Sequence, residues 1–487
     1  MRSNPALVLR VCFASLVCSA APGALPLAHA TEAGLADPRE TPVPPIITGL
    51  PALPGPGELP EQIDLPDPLV FDDGHRVTSI DEWPARREEI KKKLLYYATG
   101  SMPPAPGNVR GRELAAATVL DALVHYRLVH LSFGPDEKLG FDIAVFTPAS
   151  PTGPRPTIIF PTFDPTPGSE KLPLLPRPPG QGKGVNALLP ASAYTPPAEK
   201  KSPAPATATT ASNGAPRPDK TLPSVVAASH RALFERGYAL VLYHYQDTGE
   251  DTTLRFADGS WAFRSTRQFS AYPKHDWGLA AGWAWGISRV IDFLETQDFA
   301  DKNRFIATGH SRVGKAVFIA GAFDERIALS APAGSGAGGT AAYRFTGAGR
   351  GGKEGLDDMM RKYPNWFSPN LHPFRGQTDK LPFDQHWFLA LTAPRAFISL
   401  EGIDDQNCVP NAVRQTIAGA APVYSLFNDT SRAVAHYAPH RHRYDAEDWA
   451  ALLDFADHIL LGKPAARTFN NFPPDPAPGS PETPAAR

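Results

Sequence analysis

The residue types best suited to chemistry are concentrated in Thr308–Lys315, which reads Thr-Gly-His-Ser-Arg-Val-Gly-Lys. This octapeptide follows the apolar run Phe305-Ile306-Ala307 and opens into Ala316-Val317-Phe318-Ile319-Ala320, the order strand, tight turn, helix. That layout is a nucleophile elbow, a strained turn that lifts a serine hydroxyl above the edge of a parallel sheet. The usual elbow is Gly-x-Ser-x-Gly; here Val313 stands two after Ser311, and the second glycine comes one later at Gly314. Arg312 directly after the serine and Lys315 one helical turn on place two cations near the same mouth. The plainer readings are a glycine-rich turn packed for structural reasons and two cations in surface ion pairs.

A serine hydroxyl needs a base to take its proton, and the base needs an acid to hold its tautomer. In the strand-turn-helix hydrolases the order along the chain is serine, acid, histidine. Three histidines occur late, His436, His440 and His442, after a strand expected at Val423–Phe427. Imidazoles clustered in this way could also bind a metal, but they lack a carboxylate pair at matching spacing, and a serine elbow needs no metal. For the acid, the turn after Ala328–Ala333 contains no carboxylate, whereas Asp404 and Asp405 follow the strand-like run Ala396–Leu400, at the sheet edge that usually carries active sites. The backbone N–H of Arg312 supplies one oxyanion donor, and its forked guanidinium can supply a second, leaving Lys315 to hold a hydroxyl or carboxyl group of a substrate. Cys408 reads as a structural thiol, since no basic elbow surrounds it.

These residues need a scaffold, and the chain is long enough to build one. Its 487 residues, 42% hydrophobic, can bury a large core. A formal net charge of −2 with no long basic run argues against nucleic acid as the main partner. The first 30 residues read as a secretory signal: Arg2 and Arg10, an apolar stretch from Val11 to Ala21, and the small-residue site Ala28-His29-Ala30, with cleavage expected after Ala30. No stretch reaches the roughly 18 apolar residues of a membrane span. Cleavage would remove Cys12 and Cys18 and leave Cys408 alone, so no intramolecular disulfide is expected. The destination is secreted or periplasmic, and the molecule is expected to be soluble and monomeric.

Residues 31–69 and the tail from Arg467 are rich in proline and read as wrappings around a central domain at 70–466. Within it, strand-like runs at 117–120, 124–133, 141–146, 157–160, 238–243, 304–308 and 396–400 alternate with helical patterns such as 278–295 and a closing helix from Asp448. Such alternation predicts a doubly wound α/β fold with a mainly parallel sheet and helices on both faces. The interval 165–222 breaks the pattern; its Pro/Ala/Thr/Lys-rich middle reads as an insertion, with 172–175 and 185–189 able to dock near the site.

Taken with these features, the chain resembles the glucuronoyl esterases, carbohydrate esterase family 15, which are α/β-hydrolases. The resemblance rests on Gly-x-Ser-Arg-x-Gly-Lys at Gly309–Lys315 and extends from about Asp81 to Gly462. It includes Gly237-Tyr-Ala-Leu-Val, Trp283-Ala-Trp-Gly-Ile-Ser-Arg, Pro364-Asn-Trp-Phe, Leu381-Pro-Phe-Asp-Gln-His, Ala390-Leu-Thr-Ala-Pro-Arg and the ending His442-x6-Trp449. It implies hydrolysis of esters of 4-O-methyl-glucuronic acid that join xylan to lignin alcohols, through an acyl-enzyme and without a cofactor. It further implies His442 as base, Arg312 at the oxyanion, Lys315 on sugar hydroxyls and Glu354 as a sugar-binding glutamate. Many members carry the acid directly before the Ser-Gly-x-Gly-Gly turn, where this chain has Gly334; some bacterial-type members place it after the later strand, which corresponds to Asp405, with Asp404 as the fallback. Those members usually have a sugar-stacking tryptophan two residues further on, where this chain has Asn407. Two other readings follow from these departures: an esterase for acetylated xylan or other small carbohydrate esters, and a non-catalytic carbohydrate-binding protein on a hydrolase scaffold.

Overall fold

A computed structural model describes residues 50–474 with Val43 and Ile46 before them, apart from 151–152, 176–187, 190–221, 257, 259 and 348–351. All of these belong to one compact unit, Thr41–Arg487. The expected signal segment, the end of the C-terminal tail and most of the 165–222 insertion lie outside the described residues.

Among the described residues, nine strands form the central sheet. In chain order the elements are α1 (Trp83–Leu94), β1 (Arg110–Val119), β2 (Val124–Phe133), β3 (Leu139–Pro148), β4 (Arg155–Thr162), β5 (Leu188–Leu189), α2 (Pro223–Ser229), α3 (Arg231–Glu235), β6 (Ala239–His244) and β7 (Arg255–Phe256). Then follow α4 (Leu279–Leu294), β8 (Ala300–His310), α5 (Arg312–Phe323), β9 (Ile327–Ala333), α6 (Leu356–Lys362), α7 (His386–Thr392), β10 (Ala396–Gly402), α8 (Pro410–Leu426), β11 (Ala433–Ala438) and α9 (Ala446–Leu461). The sheet order is β1-β2-β3-β6-β4-β8-β9-β10-β11. β1, β2, β3 and β6 pair antiparallel, and the run from β6 to β11 is parallel.

Because side chains alternate across a strand, Ile158 and Ile159, or Leu240 and Val241, fall on opposite faces, and both faces are buried. One face packs under α1, α4, α5 and α7, with Trp283, Val290 and Phe318 in its core; the other packs under α9, with Leu452 and Phe455. This is the expected doubly wound arrangement, and the strands at 124–133, 238–243 and 396–400 and the helix at 278–295 fall where the sequence places them.

One element differs. Val423–Phe427, expected as a strand, is the end of α8, and the last strand is Ala433–Ala438. Val-Tyr-Ser-Leu-Phe looks strand-like alone, but Val413, Thr416, Ala420, Val423 and Tyr424 form one buried helical stripe that continues past Pro422. His436 therefore lies within β11 and not on the loop that follows it.

The proline-rich segment near the N-terminus lies along the domain: the Pro66 carbonyl accepts from Trp387 Nε1 at 3.0 Å and contacts His386 Nε2 at 2.7 Å. At the far edge, Asn471 pairs with both backbone groups of Tyr437 and covers β11. The start of the insertion docks as well. Leu175 packs with Leu254 and Ala262, its N–H donates to Glu250 at 2.7 Å, and β5 pairs with β7. No helix among the described residues is long and apolar enough to cross a membrane.

Candidate active site

The carboxyl ends of the parallel strands converge at Ser311. β8 ends at His310 and α5 starts at Arg312, so one residue makes the turn, at φ 58° and ψ −127°. Such a conformation is strained for a non-glycine residue and is held here by tertiary packing. The Ser311 N–H donates to the Ala333 carbonyl of β9 at 2.8 Å. The displaced second glycine has a geometric reason: a Cβ on Gly314 would lie 2.9 Å from the Ala333 oxygen and 3.0 Å from the Gly309 oxygen. The first turn of α5 thus approaches the backbone at position 314, while Val313 is buried beneath the elbow.

His442, on the loop between β11 and α9, places Nε2 2.8 Å from Ser311 Oγ and Nδ1 2.6 Å from Asp405 Oδ2. Asp405 stands in the turn after β10, and its other oxygen accepts from the Asn407 N–H at 3.0 Å. Burial raises the Asp405 pKa, but the hydrogen bond and charge of His442 outweigh it and hold the carboxyl below its ordinary range. Asp404 is exposed, and the structure does not bring it to His442. A Cβ on Gly334 would lie 3.4 Å from Asp405 Oδ2, so a side chain at 334 would enter the space that this carboxylate occupies.

The other two histidines are used elsewhere. His440 Nδ1 bonds the Arg441 carbonyl at 2.7 Å, Nε2 lies 3.0 Å from buried Asp448, and its carbonyl accepts from Asp404 N at 3.1 Å. His440 thereby ties the turn carrying Asp405 to the loop carrying His442. His436 pairs with Glu447 at 3.4 Å. Among the described residues, His440, Asp445 and Asp448 come close enough to suggest metal ligands, but the two carboxylates cap α9 and the group excludes His436 and His442. The His310 ring packs against that of His442, tilted by 45° with centroids 4.5 Å apart, and burial, followed by the His442 charge, pushes its pKa down to about 4. It is neutral in the working range.

The cleft beside Ser311 is lined by Arg312, Lys315, Glu354, Tyr363, Trp366 and Asn407. Lys315 is 4% exposed, and its ammonium donates to the carbonyls of Ser335 at 2.5 Å and Ala337 at 2.8 Å. Two of its three donors are therefore committed to the protein, and burial lowers its pKa. The Arg312 guanidinium bonds Asp251 through Nη1, lies 5.0 Å from the Trp366 ring centroid, and has its Nε buried without a hydrogen-bond partner among the described residues. Tyr363 stacks on Trp366 at 4.0 Å and 9°. Behind the site Glu401 is fully buried, accepts from Ser399 Oγ at 2.5 Å and Thr340 Oγ1 at 3.0 Å, and is pushed by burial up to about 7. The Cys408 thiol is buried, and burial raises its pKa well above the ordinary value, so it is no nucleophile.

Comparison with known proteins points to one family. A family model described as fungal glucuronyl esterase matches residues 199–428. Carbohydrate esterase MZ0003, from an unknown prokaryotic organism, is 27% identical over 419 residues, covering 82% of this chain and 90% of that protein. A 4-O-methyl-glucuronoyl methylesterase of Podospora anserina is 29% identical over 374 residues, covering 74% of this chain and 61% of its own. Among solved structures, a glucuronoyl esterase from Solibacter usitatus superposes with TM-score 0.62 at 25% identity, over 82% of this chain and 98% of that one. A promiscuous esterase of the same family from a marine bacterial metagenome gives 0.63 at 25%, over 83% and 98%. The family model, the curated relatives and the solved structures all support kinship with the glucuronoyl esterases, carbohydrate esterase family 15. As a glucuronoyl esterase relative it has two features that the family motif alone does not show: Asp405 filling the space beside Gly334, and Asn407 in the cleft wall. Sequence reasoning did not find Asp251, Tyr363 or Glu401. Only Trp366 stood in a quoted motif, and no spacing rule links the others to Ser311.

Proposed function

We propose that this esterase hydrolyses esters of glucuronic acid or its 4-O-methyl derivative, as in lignin–xylan linkages, with Ser311, His442 and Asp405 as the catalytic set. The observation that carries the reading is the continuous hydrogen-bonded line from Asp405 through His442 to Ser311, opening on a cleft that contains both cations. Asp405 accepts from Nδ1–H, which leaves the Nε2 lone pair facing the hydroxyl. Ser311 Oγ attacks the ester carbonyl, its proton passes to His442 Nε2, and the same proton then goes to the departing alcohol. Water, activated by the neutral His442, releases glucuronate from the acyl-enzyme.

Negative charge on the tetrahedral oxygen is met by the Arg312 backbone N–H and its guanidinium, whose fixed charge costs no reorganisation as the oxyanion forms. The remaining Lys315 donor and the Glu354 carboxylate hold sugar hydroxyls. A chain with a cleaved signal segment would deliver this activity outside the cytoplasm as a monomer; sequencing of secreted protein should then begin at Thr31.

The test is a substrate panel. Benzyl and methyl glucuronate should be turned over with kcat/KM at least about 100-fold above acetylated xylo-oligosaccharides, the range that a site built around specific polar contacts supplies. Equal or reversed preference would favour the small-ester reading, and no turnover of any ester the non-catalytic one.

A further inference from the structure

The oxyanion guanidinium and the aromatic wall of the cleft converge on one side chain outside the predicted site. Asp251, in the segment between β6 and β7, uses Oδ1 to accept from Trp366 Nε1 at 2.9 Å and Oδ2 to accept from Tyr245 OH at 3.0 Å and from Arg312 Nη1. Its side chain is 10% exposed. Its own position is fixed, since its N–H donates to Gln246 Oε1 at 3.2 Å and the carbonyl of Thr252 accepts from Asn365 Nδ2 at 2.8 Å. Two neighbouring residues of one segment therefore hold Asn365 and Trp366.

We propose that Asp251 is a positioning residue of the reaction: one carboxylate sets the Arg312 guanidinium for the oxyanion and the Trp366 indole for the sugar, so that the two parts of the site keep a common geometry. The inference rests on the esterase reading above. An arginine side chain has several rotatable bonds, and its usefulness as a donor depends on which N–H groups face the reacting oxygen. With Nη1 engaged by Asp251 and the guanidinium against the Trp366 ring, the fork is fixed, its Nε buried and without a hydrogen-bond partner among the described residues. The ion pair also compensates the charge of Arg312 before substrate binds. Held in a fixed position, the donor meets charge that is present only as the oxyanion develops, which is the condition for lowering a barrier and not merely tightening binding.

A double-mutant cycle on benzyl glucuronate tests this. Asp251→Asn keeps shape and an acceptor for Trp366 while removing the charge, and it is expected to lower kcat roughly 10- to 100-fold, somewhat less than loss of an oxyanion donor itself. KM is expected to change less than about threefold, because ground-state contacts to the sugar remain. Arg312→Ala should cost about 100- to 1,000-fold in kcat. The double variant should be no slower than Arg312→Ala alone, within about twofold, because Asp251 acts through Arg312. Losses that multiply, or an unchanged kcat in Asp251→Asn, would overturn the proposal. If Asp251→Asn does not fold, Asp251→Glu replaces it in the cycle; it keeps the buried ion pair, displaces the carboxylate by one methylene, and carries the same expectation of non-multiplying losses. Wild-type enzyme inactive on glucuronate esters but active on another ester would refute the substrate reading alone, and the cycle would then be run on that ester. Multiplying losses in enzyme that does hydrolyse glucuronate esters would refute the role of Asp251 alone.

Discussion

Replacing Asp405 by asparagine separates the proposed acid from its neighbour Asp404. The Asp405 side chain is 2% exposed, and its Oδ2 lies 2.6 Å from His442 Nδ1. An amide presents either a carbonyl or an NH2 group at that point, and the NH2 would donate to Nδ1. The imidazole proton would then sit on Nε2, which would face Ser311 Oγ as a donor at 2.8 Å and could not take the hydroxyl proton. In serine hydrolases this tautomer error costs about 10⁴ in kcat, or about 5.5 kcal/mol of barrier. Asp404→Asn, at an exposed side chain, should change kcat less than about twofold. The assay is release of benzyl alcohol from benzyl glucuronate at saturating substrate, with circular dichroism to show that both variants are folded. Near-full activity in Asp405→Asn with a large loss in Asp404→Asn would refute the assignment. Equal small losses in both would show that His442 needs neither carboxylate.

Three further outcomes follow from the same geometry. Gly314→Ala should destabilise the fold by about 2 kcal/mol in urea denaturation, because its Cβ meets two backbone oxygens, at 2.9 and 3.0 Å, that cannot give way; a more stable variant, which helix propensity alone would produce, would contradict this. Lys315→Met keeps the stem and removes the ammonium, and it should lower kcat/KM on glucuronate esters about 10- to 100-fold, chiefly through KM, since a charged hydrogen bond is lost; an unchanged KM would remove Lys315 from sugar binding. Burial raises the Glu401 pKa from 4.5 to about 7, so in that interval the folded protein holds a proton that the unfolded chain has lost. Its contribution is present below about pH 4.5 and falls by about 3 kcal/mol as pH rises to about 7. Glu401→Gln cannot ionise, so its stability should decline less from pH 4.5 to 7 than that of the parent, and parallel curves would refute the assignment.

The parts of this architecture that depend on local pattern were legible in the sequence. The apolar run Tyr238–Tyr243 falls on the buried strand Ala239–His244, and the glycine-serine turn after Phe305–Ala307 needed only its neighbours to be recognised. Val423–Phe427 misled because a short β-branched and aromatic run does not reveal its period, and the helical stripe emerges only when read back to Val413. β1 was only partly anticipated, since an exposed strand beginning Arg110-Gly111-Arg112 lacks a buried face. In the site, Ser311, His442 and Asp405 were reached through chain order and family resemblance. Asp251 and Glu401 were not, because what distinguishes them is a shared hydrogen-bond partner or a desolvated position, and these come from segments far apart in sequence that meet only in the folded chain. The displaced Gly314 is an intermediate case: the anomaly was visible, but its cause, the approach to the Ala333 carbonyl, belongs to the packing of α5 on β9.

The most direct measurement of the central claim is the turnover of benzyl glucuronate by the wild-type chain and by folded Ser311→Ala. The wild-type chain should release benzyl alcohol and glucuronate, with an active-site fluorophosphonate stopping turnover and attaching to Ser311 as read by peptide mass. Ser311→Ala should lose at least about 10⁴ in kcat and fail to take the label. Unchanged turnover in Ser311→Ala, or a label on another residue, would contradict the account.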